Sequence, residues 1–268
     1  MRHARLLLTL GPALASSVLL VVVPAAPGAT RIVGAVGVNK MLRGIPQQGI
    51  ALGKPSAPVT LVEFVEPQCP GCGIWARNEL PGVIKRYVRS GKIRIEYRGL
   101  SFIGTDSNGL LTLVQAAGEQ KKLWNVAELE YANQGAENSG YATHAYLTAI
   151  AKAVPGLNAN KALALTSSGA VAARIEQARV FAQQSGVNQT PTLAIRKTGD
   201  DKNLTVLAST SSQGVNSAIN AALAGKPVPA RSSDFPAWAI VLLIMAGVAA
   251  LSGAISIAVR LTKRPPAA

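Results

Sequence analysis

The sequence predicts an α/β fold interrupted by a helical block and followed by a membrane-spanning helix. Three observations carry this. Residues 57–97 read strand, helix, strand; the chain is all-helical from about 107 to 185; it then returns to strand, strand, helix. Both cysteines fall in one motif, Cys69-Pro70-Gly71-Cys72, between a strand and a helix. Phe235 to Val259 carries no charge, and its length exceeds the roughly 20 residues needed to cross hydrocarbon.

Composition narrows the class further. With 49% hydrophobic residues in 268, the chain is not wholly disordered. Two cysteines supply no disulfide framework, and they cannot fill a four-ligand zinc site with two histidines when His3 lies in the N-terminal tail. Of 27 basic residues, Arg2, Arg5, Arg260, Lys263 and Arg264 lie in the tails, so the middle holds 22 basic against 13 acidic residues, a net +9. Seven of these basic residues cluster from Arg77 to Arg98, and with few aromatics and no recognition motif they read as a solvated face beside anionic lipid headgroups rather than a nucleic-acid site.

Residues 1–30 open with Arg2 and Arg5, continue through the apolar stretch Leu6 to Val23, and leave through small residues. They read as a signal peptide or an uncleaved signal anchor. Residues 31–52 read as a linker with a first edge strand. The folded domain covers 53–225. Ala57 to Glu66 is β-branched and aromatic and reads as a strand; Gly73 to Ser90 has helical spacing, which Pro81 should kink or split; Lys92 to Tyr97 alternates as a second strand. The helical insertion spans about 107–185, with helices expected at 110–117, 123–131, 141–154, 158–167 and 171–184. Thr190 to Arg196 and Leu204 to Ala208 read as strands and Ser212 to Ala224 as a last helix, before a linker over 226–234. The span at 235–259 and a basic tail at 260–268 follow, and the positive-inside tendency puts both chain ends in the cytoplasm. The middle then faces an oxidising, extracytoplasmic compartment at the cell membrane.

The strand–helix junction gives the cysteines their chemistry. Cys69 sits where free backbone N–H groups and the positive end of a helix dipole favour a thiolate, the attacking species. Two intervening residues let the second sulfur reach the first, so the pair can cycle between dithiol and disulfide. A stapling disulfide across so short a loop would stabilise little. Glu63 lies six residues earlier on the strand face of Val59, Leu61 and Val65, where desolvation raises a carboxyl pKa and fits it to relay a proton to or from Cys72. Glu66 and Gln68 read as surface residues shaping access.

With the strand ending LVEFVEPQ before CPGC, the helical insert, and the segment Gly186 to Thr192, the sequence resembles the thioredoxin superfamily, specifically the exported DsbA-like thiol oxidoreductases, over about Gly53 to Ala224. The resemblance implies a thioredoxin fold with Cys69 as nucleophile and Cys72 as resolving thiol. It implies that Pro191 is a cis-proline opposite the motif and that Glu63 is the family's buried acid. Thr190 and Pro191, with Pro70 and Gly71 on the facing turn, would then bind substrate. It further implies oxidation of cysteines in exported proteins, no cofactor or metal, and recycling by a quinone-linked membrane partner of the DsbB or vitamin K epoxide reductase-like type. No histidine stands between the cysteines, so the residues leave oxidase, reductase and isomerase directions open, as they do a non-catalytic membrane-bound binding or chaperone module.

Overall fold

The computed structural model describes residues 30–231, so the expected segments at 1–29 and 232–268 lie outside the described residues. Among the described residues, no helix is long and apolar enough to cross a membrane.

Residues 31–52, expected to be a linker with one edge strand, fold instead as helix α1 (Ala35–Leu42) and a tight pair of strands, β1 (Gln47–Gln48) and β2 (Ala51–Leu52). The sequence hid this because α1 buries only Leu42 completely. Its C-terminal carbonyls are held from elsewhere: the Arg89 guanidinium donates to the carbonyls of Met41 at 2.6 Å and of Lys40 and Arg43 at 3.2 Å.

Strand β3 (Val59–Val65) is buried along its whole length and lies at the sheet centre, parallel to β4 (Ile93–Gly99) and antiparallel to β5 (Thr192–Lys197). With β6 (Thr205–Val206) the sheet order is β1-β2-β4-β3-β5-β6. Period two divides the two faces. Val59, Leu61 and Val65 enter the main core with Ile93, Ile95, Leu193 and Ile195, whereas Val62 and Phe64 form a smaller core with Leu100 and Ala194.

Between β3 and β4 the chain forms one continuous helical run. Helix α2 (Pro70–Ile74) passes into a π turn (Trp75–Glu79), then α3 (Leu80–Val83), then a second π turn (Ile84–Val88). The chain stays helical through Pro81, and the disruption expected there takes the form of the π turn that separates α2 from α3 just before it. The Leu80 N–H bonds the Trp75 carbonyl five residues back, and this wider turn accommodates a residue without an N–H.

The inserted block holds α4 (Thr105–Gly118), α5 (Leu123–Ala132), α6 (His144–Ala153), α7 (Ala159–Leu165) and α8 (Gly169–Gln184). Thr143, Asn158 and Ser168 cap the last three, each side-chain oxygen accepting a first-turn N–H. Helix α8 covers the smaller core, where Phe181 stacks on Phe64 at 5.7 Å between ring centroids. Helix α9 (Ser212–Leu223) closes the main core with Val215, Ala218 and Ile219.

Of the basic run from Arg77 to Arg98, Arg77, Lys85, Arg86, Arg89 and Lys92 are exposed, as a solvated face requires, whereas Arg94 and Arg98 are half-buried. Arg77 and Arg89 bond backbone carbonyls, and Arg94, Arg98 and Arg196 converge on Glu96. Burial alone would raise the Glu96 carboxyl, but the charges of Arg196 and Arg98 override it and hold Glu96 below its ordinary value. That ion cluster sits across β4 and β5, at alternating positions of β4.

Candidate active site

Strand β3 ends at Val65, and a four-residue turn delivers Cys69 to the N-cap of α2 with extended backbone (φ −62°, ψ 119°). Pro70 occupies the first helical turn, where its missing N–H has no partner to lose. Cys69 is 9% exposed and Cys72, one turn on, is fully buried. Both are free thiols.

The Thr190–Pro191 peptide bond is cis, and this turn faces the motif. The Thr190 carbonyl accepts the Cys69 thiol at 3.4 Å. A Cβ on Gly71 would come within 3.0 Å of Pro191 Cδ and 3.7 Å of Cys69 Sγ, so glycine permits the close approach of the two turns. Pro70 is exposed and Gly71, Thr190 and Pro191 are half-buried, so all four line an accessible rim around the sulfur.

The two sulfurs titrate in opposite senses. A hydrogen bond from the Cys72 thiol does most to lower Cys69; burial opposes it, and the Thr190 hydroxyl and the N–H groups of Cys72 and Gly71 add to the lowering, leaving Cys69 at about 5. For Cys72, burial pushes the thiol far up, and neighbouring Cys69 adds to that. The helix start therefore holds an ionised, reachable sulfur above a neutral, enclosed one.

Glu63 is 1% exposed and faces the main core. Its Oε2 accepts the Trp75 indole N–H at 2.9 Å, and Trp75 lies one helical turn beyond Cys72, which places the carboxyl beneath the helix face carrying the inner sulfur. Burial raises Glu63 to about 7, with the Trp75 bond pulling the other way. No direct Glu63–Cys72 hydrogen bond is present among the described residues; the Glu66 N–H points at Cys72 Sγ, 3.4 Å away.

Glu66 and Gln68 are fully buried rather than surface residues. Glu66 Oε2 accepts the N–H groups of Gln68 at 2.6 Å and Cys69 at 3.0 Å, while its carbonyl accepts the Tyr131 hydroxyl. Gln68 reaches into the inserted block, donating to Ser107 Oγ at 2.8 Å and accepting the Asn138 N–H at 2.7 Å. Gln134 donates to the carbonyls of Pro67 at 2.9 Å and Cys69 at 3.0 Å. Sequence reading missed Trp75, Tyr131 and Gln134, whose roles arise from contacts more than ten residues apart. Only the i, i+3 spacing of Cys72 and Trp75 offered a local signal for any of them.

A thiolate at a helix start, a buried partner one turn inward and an X-Pro turn across the rim define a redox protein of thioredoxin fold. The chain belongs to the thioredoxin family: the family model described as Thioredoxin matches residues 46–210. It is 33% identical over 120 residues to a probable disulfide bond formation protein D of Bacillus cereus, covering 42% of this chain and 53% of that one. It is 23% identical over 167 residues to disulfide bond formation protein D of Bacillus subtilis, covering 60% and 72%. The chain thus spans about half the length of the first of these relatives. Among solved structures it resembles oxidised BdbD from Bacillus subtilis (TM-score 0.59, 20% identity, covering 68% of this chain and 98% of that one). It also resembles α-DsbA1 from Wolbachia pipientis (TM-score 0.55, 17% identity, covering 69% and 93%).

Proposed function

We propose that this protein is a thiol:disulfide oxidoreductase, tethered to the cell membrane with its catalytic domain on the extracytoplasmic side and its C-terminus in the cytoplasm, that oxidises cysteines of exported proteins. Cys69 is the attacked and attacking sulfur, Cys72 resolves the mixed disulfide, and Glu63 relays the proton that Cys72 gains or loses. Thr190 and Pro191, with Pro70 and Gly71, hold an extended client segment. A quinone-linked membrane protein of the DsbB or vitamin K epoxide reductase-like type takes the electrons onward.

The observation that carries the reading is Cys69 at about 5, at the N-cap of α2 and across from Thr190. A stabilised thiolate favours the reduced form, so the disulfide is disposed to oxidise a client rather than to accumulate. Apolar surface beside the rim suits an unfolded client: Ile74 and Phe102 are exposed, and a groove of about 500 Å³ lined by Leu100, Phe102, Val187 and Gln189 adjoins the Thr190 turn.

Equilibrating the full-length protein in detergent with glutathione redox buffers tests the direction. A reduction potential well above roughly −270 mV supports oxidation, and a value near that figure assigns reduction instead. Full client oxidation by Cys69→Ser would remove the enzymatic reading and leave a binding module.

A further inference from the structure

Helix α5 carries two buried carboxyls that the exchange chemistry has not used, Glu128 and Glu130. Burying a carboxyl costs free energy that a leucine at the same site would not. Glu128 is placed by its neighbours on the helix. It lies four residues after Trp124 and three before Tyr131, so the three share one face of α5. Trp124 meets the Tyr97 ring edge-on at 6.0 Å, and Tyr97 is the β4 register partner of Glu63. On the other side, the Tyr131 hydroxyl donates at 3.2 Å to the carbonyl of Glu66, three residues beyond Glu63. The face is thus pinned on both sides of Glu63, with Glu128 between the pins. Exposure rises along the series Cys72, Glu63, Glu128, from 0% through 1% to 5%.

We propose that Glu128 is a positioning residue that keeps a second proton for the exchange and returns it to Glu63. This rests on the thiol–disulfide reading above. In the step concerned, a thiolate attacks Cys69 Sγ, the Cys69–Cys72 bond breaks, and its electron pair goes to Cys72 Sγ. Cys72 is a poor leaving group because burial keeps its thiol far above the usual range. A proton from the Glu63 carboxyl caps it, Glu128 reprotonates Glu63, and solvent restores Glu128.

The ionisable or charged groups on the elements packed around α5 are Glu63 and Glu66 on or just after β3, Tyr97 on β4, Cys72 on α2, Arg77 and Glu79 in the first π turn, Asp106 on α4, His144, Tyr146 and Lys152 on α6 and Lys40 on α1; of these, Arg77, His144, Lys152 and Lys40 are exposed. Glu130 and Tyr131 are on α5 itself, while α1 brings apolar side chains such as Val38 and Met41. Burial, then Glu63, pushes Glu128 well above the ordinary carboxyl value.

The oxidised full-length protein in detergent is reduced with dithiothreitol from pH 6 to pH 8, rates being normalised to the reductant's thiolate. Glu63 titrates at about 7, so at pH 8 only about a tenth of it carries a proton. The wild type keeps its rate across the range, whereas Glu128→Gln, isosteric but without an ionisable proton, matches it at pH 6 and falls about tenfold by pH 8. A Glu128→Gln profile that tracks the wild type, or one lowered equally at every pH, overturns the proposal. A wild type that dithiothreitol does not reduce sinks the oxidoreductase reading instead. Infrared difference spectra of the wild type guard against a variant that fails to fold: two protonated carboxyls change between oxidised and reduced forms if Glu128 takes part, and one does if it does not.

Discussion

Cys69 and Glu63 carry opposite shifts because one is wrapped in donors and the other in apolar side chains. Cys69 is lowered from 9.0 to about 5, so its thiolate persists down to mildly acidic pH. Iodoacetamide should therefore modify Cys69 at a constant rate from pH 8 to pH 6, with the inflection near pH 5; an inflection near the free-thiol value of roughly 8.5 contradicts this. The linkage has the depressed-pKa sign: stability of the reduced form gained from the thiolate is complete above the unfolded value and drains away as pH falls through about 5. Glu63 works the other way. Its folded value is raised from 4.5 to about 7, so the neutral carboxyl stabilises the fold at low pH, and that contribution is lost as pH rises between those values. The forfeited stability at pH 8 is on the order of 3 kcal/mol. Glu63→Gln keeps an acceptor for the Trp75 indole, so it should raise the melting temperature at pH 8, leave it little changed at pH 4, and slow exchange at both. Equal melting curves for the two proteins at pH 8 would show that the carboxyl is not desolvated as the structure has it.

At the scale of elements, the CPGC turn is held from the inserted block as much as from its own strand. Gln134, just past α5, ties down the carbonyls of Pro67 and Cys69, and a Cβ on Gly73 would fall 2.2 Å from its Oε1, so α2 and this glutamine fit only because Gly73 has no side chain. Gln134→Leu takes the side-chain donor from the Pro67 carbonyl and leaves the Cys69 carbonyl only the Gly73 N–H, at a cost of about 1–3 kcal/mol. It should lower the melting temperature by several degrees and shift the Cys69 inflection upward as the turn loosens; alkylation profiles of variant and wild type check this. The same clamp explains what was legible in the sequence and what was not. The strand–motif–helix order, the five inserted helices and the Thr190–Pro191 turn are local patterns of hydrophobic period and turn chemistry, and they stand within a few residues of where they were expected. Period two also put Glu63 on the correct strand face. Glu66 and Gln68 misled because a polar pair beside a turn normally meets water, and here Ser107, Tyr131 and Asn138 from the insert take water's place. The π turn before Pro81 and the short hairpin at 47–52 leave no periodic trace, since each depends on hydrogen-bond register rather than side-chain pattern.

At the scale of the whole molecule, the reactive rim and the chain's path bear on where the protein works. Val33 is clasped by the Asn133 side chain, which accepts its N–H at 2.8 Å and donates to its carbonyl at 2.9 Å; the next residue, Gln134, holds Cys69. At the other end Arg231 lines the same groove as Thr190 and Pro191. On the proposed topology, the stretches 6–23 and 235–259 expected to enter the membrane would be reached from the ends of the described residues, near Val33 and Arg231. Such an attachment suits exchange with a partner in the same membrane, because a tether converts the encounter into one at high effective concentration. On the proposed topology, the tail charges Arg260, Lys263 and Arg264 would set the orientation by the positive-inside tendency. In intact cells, a membrane-impermeant maleimide should then label Cys69 of the reduced protein, while a protease added outside should leave an epitope placed after Ala268 untouched. Labelling of Cys69 only after the membrane is opened, or loss of the epitope from sealed cells, would reverse the topology, and the clients would then have to be cytoplasmic thiols, for which a sulfur ionised at about pH 5 and a disulfide disposed to oxidise would be the wrong equipment.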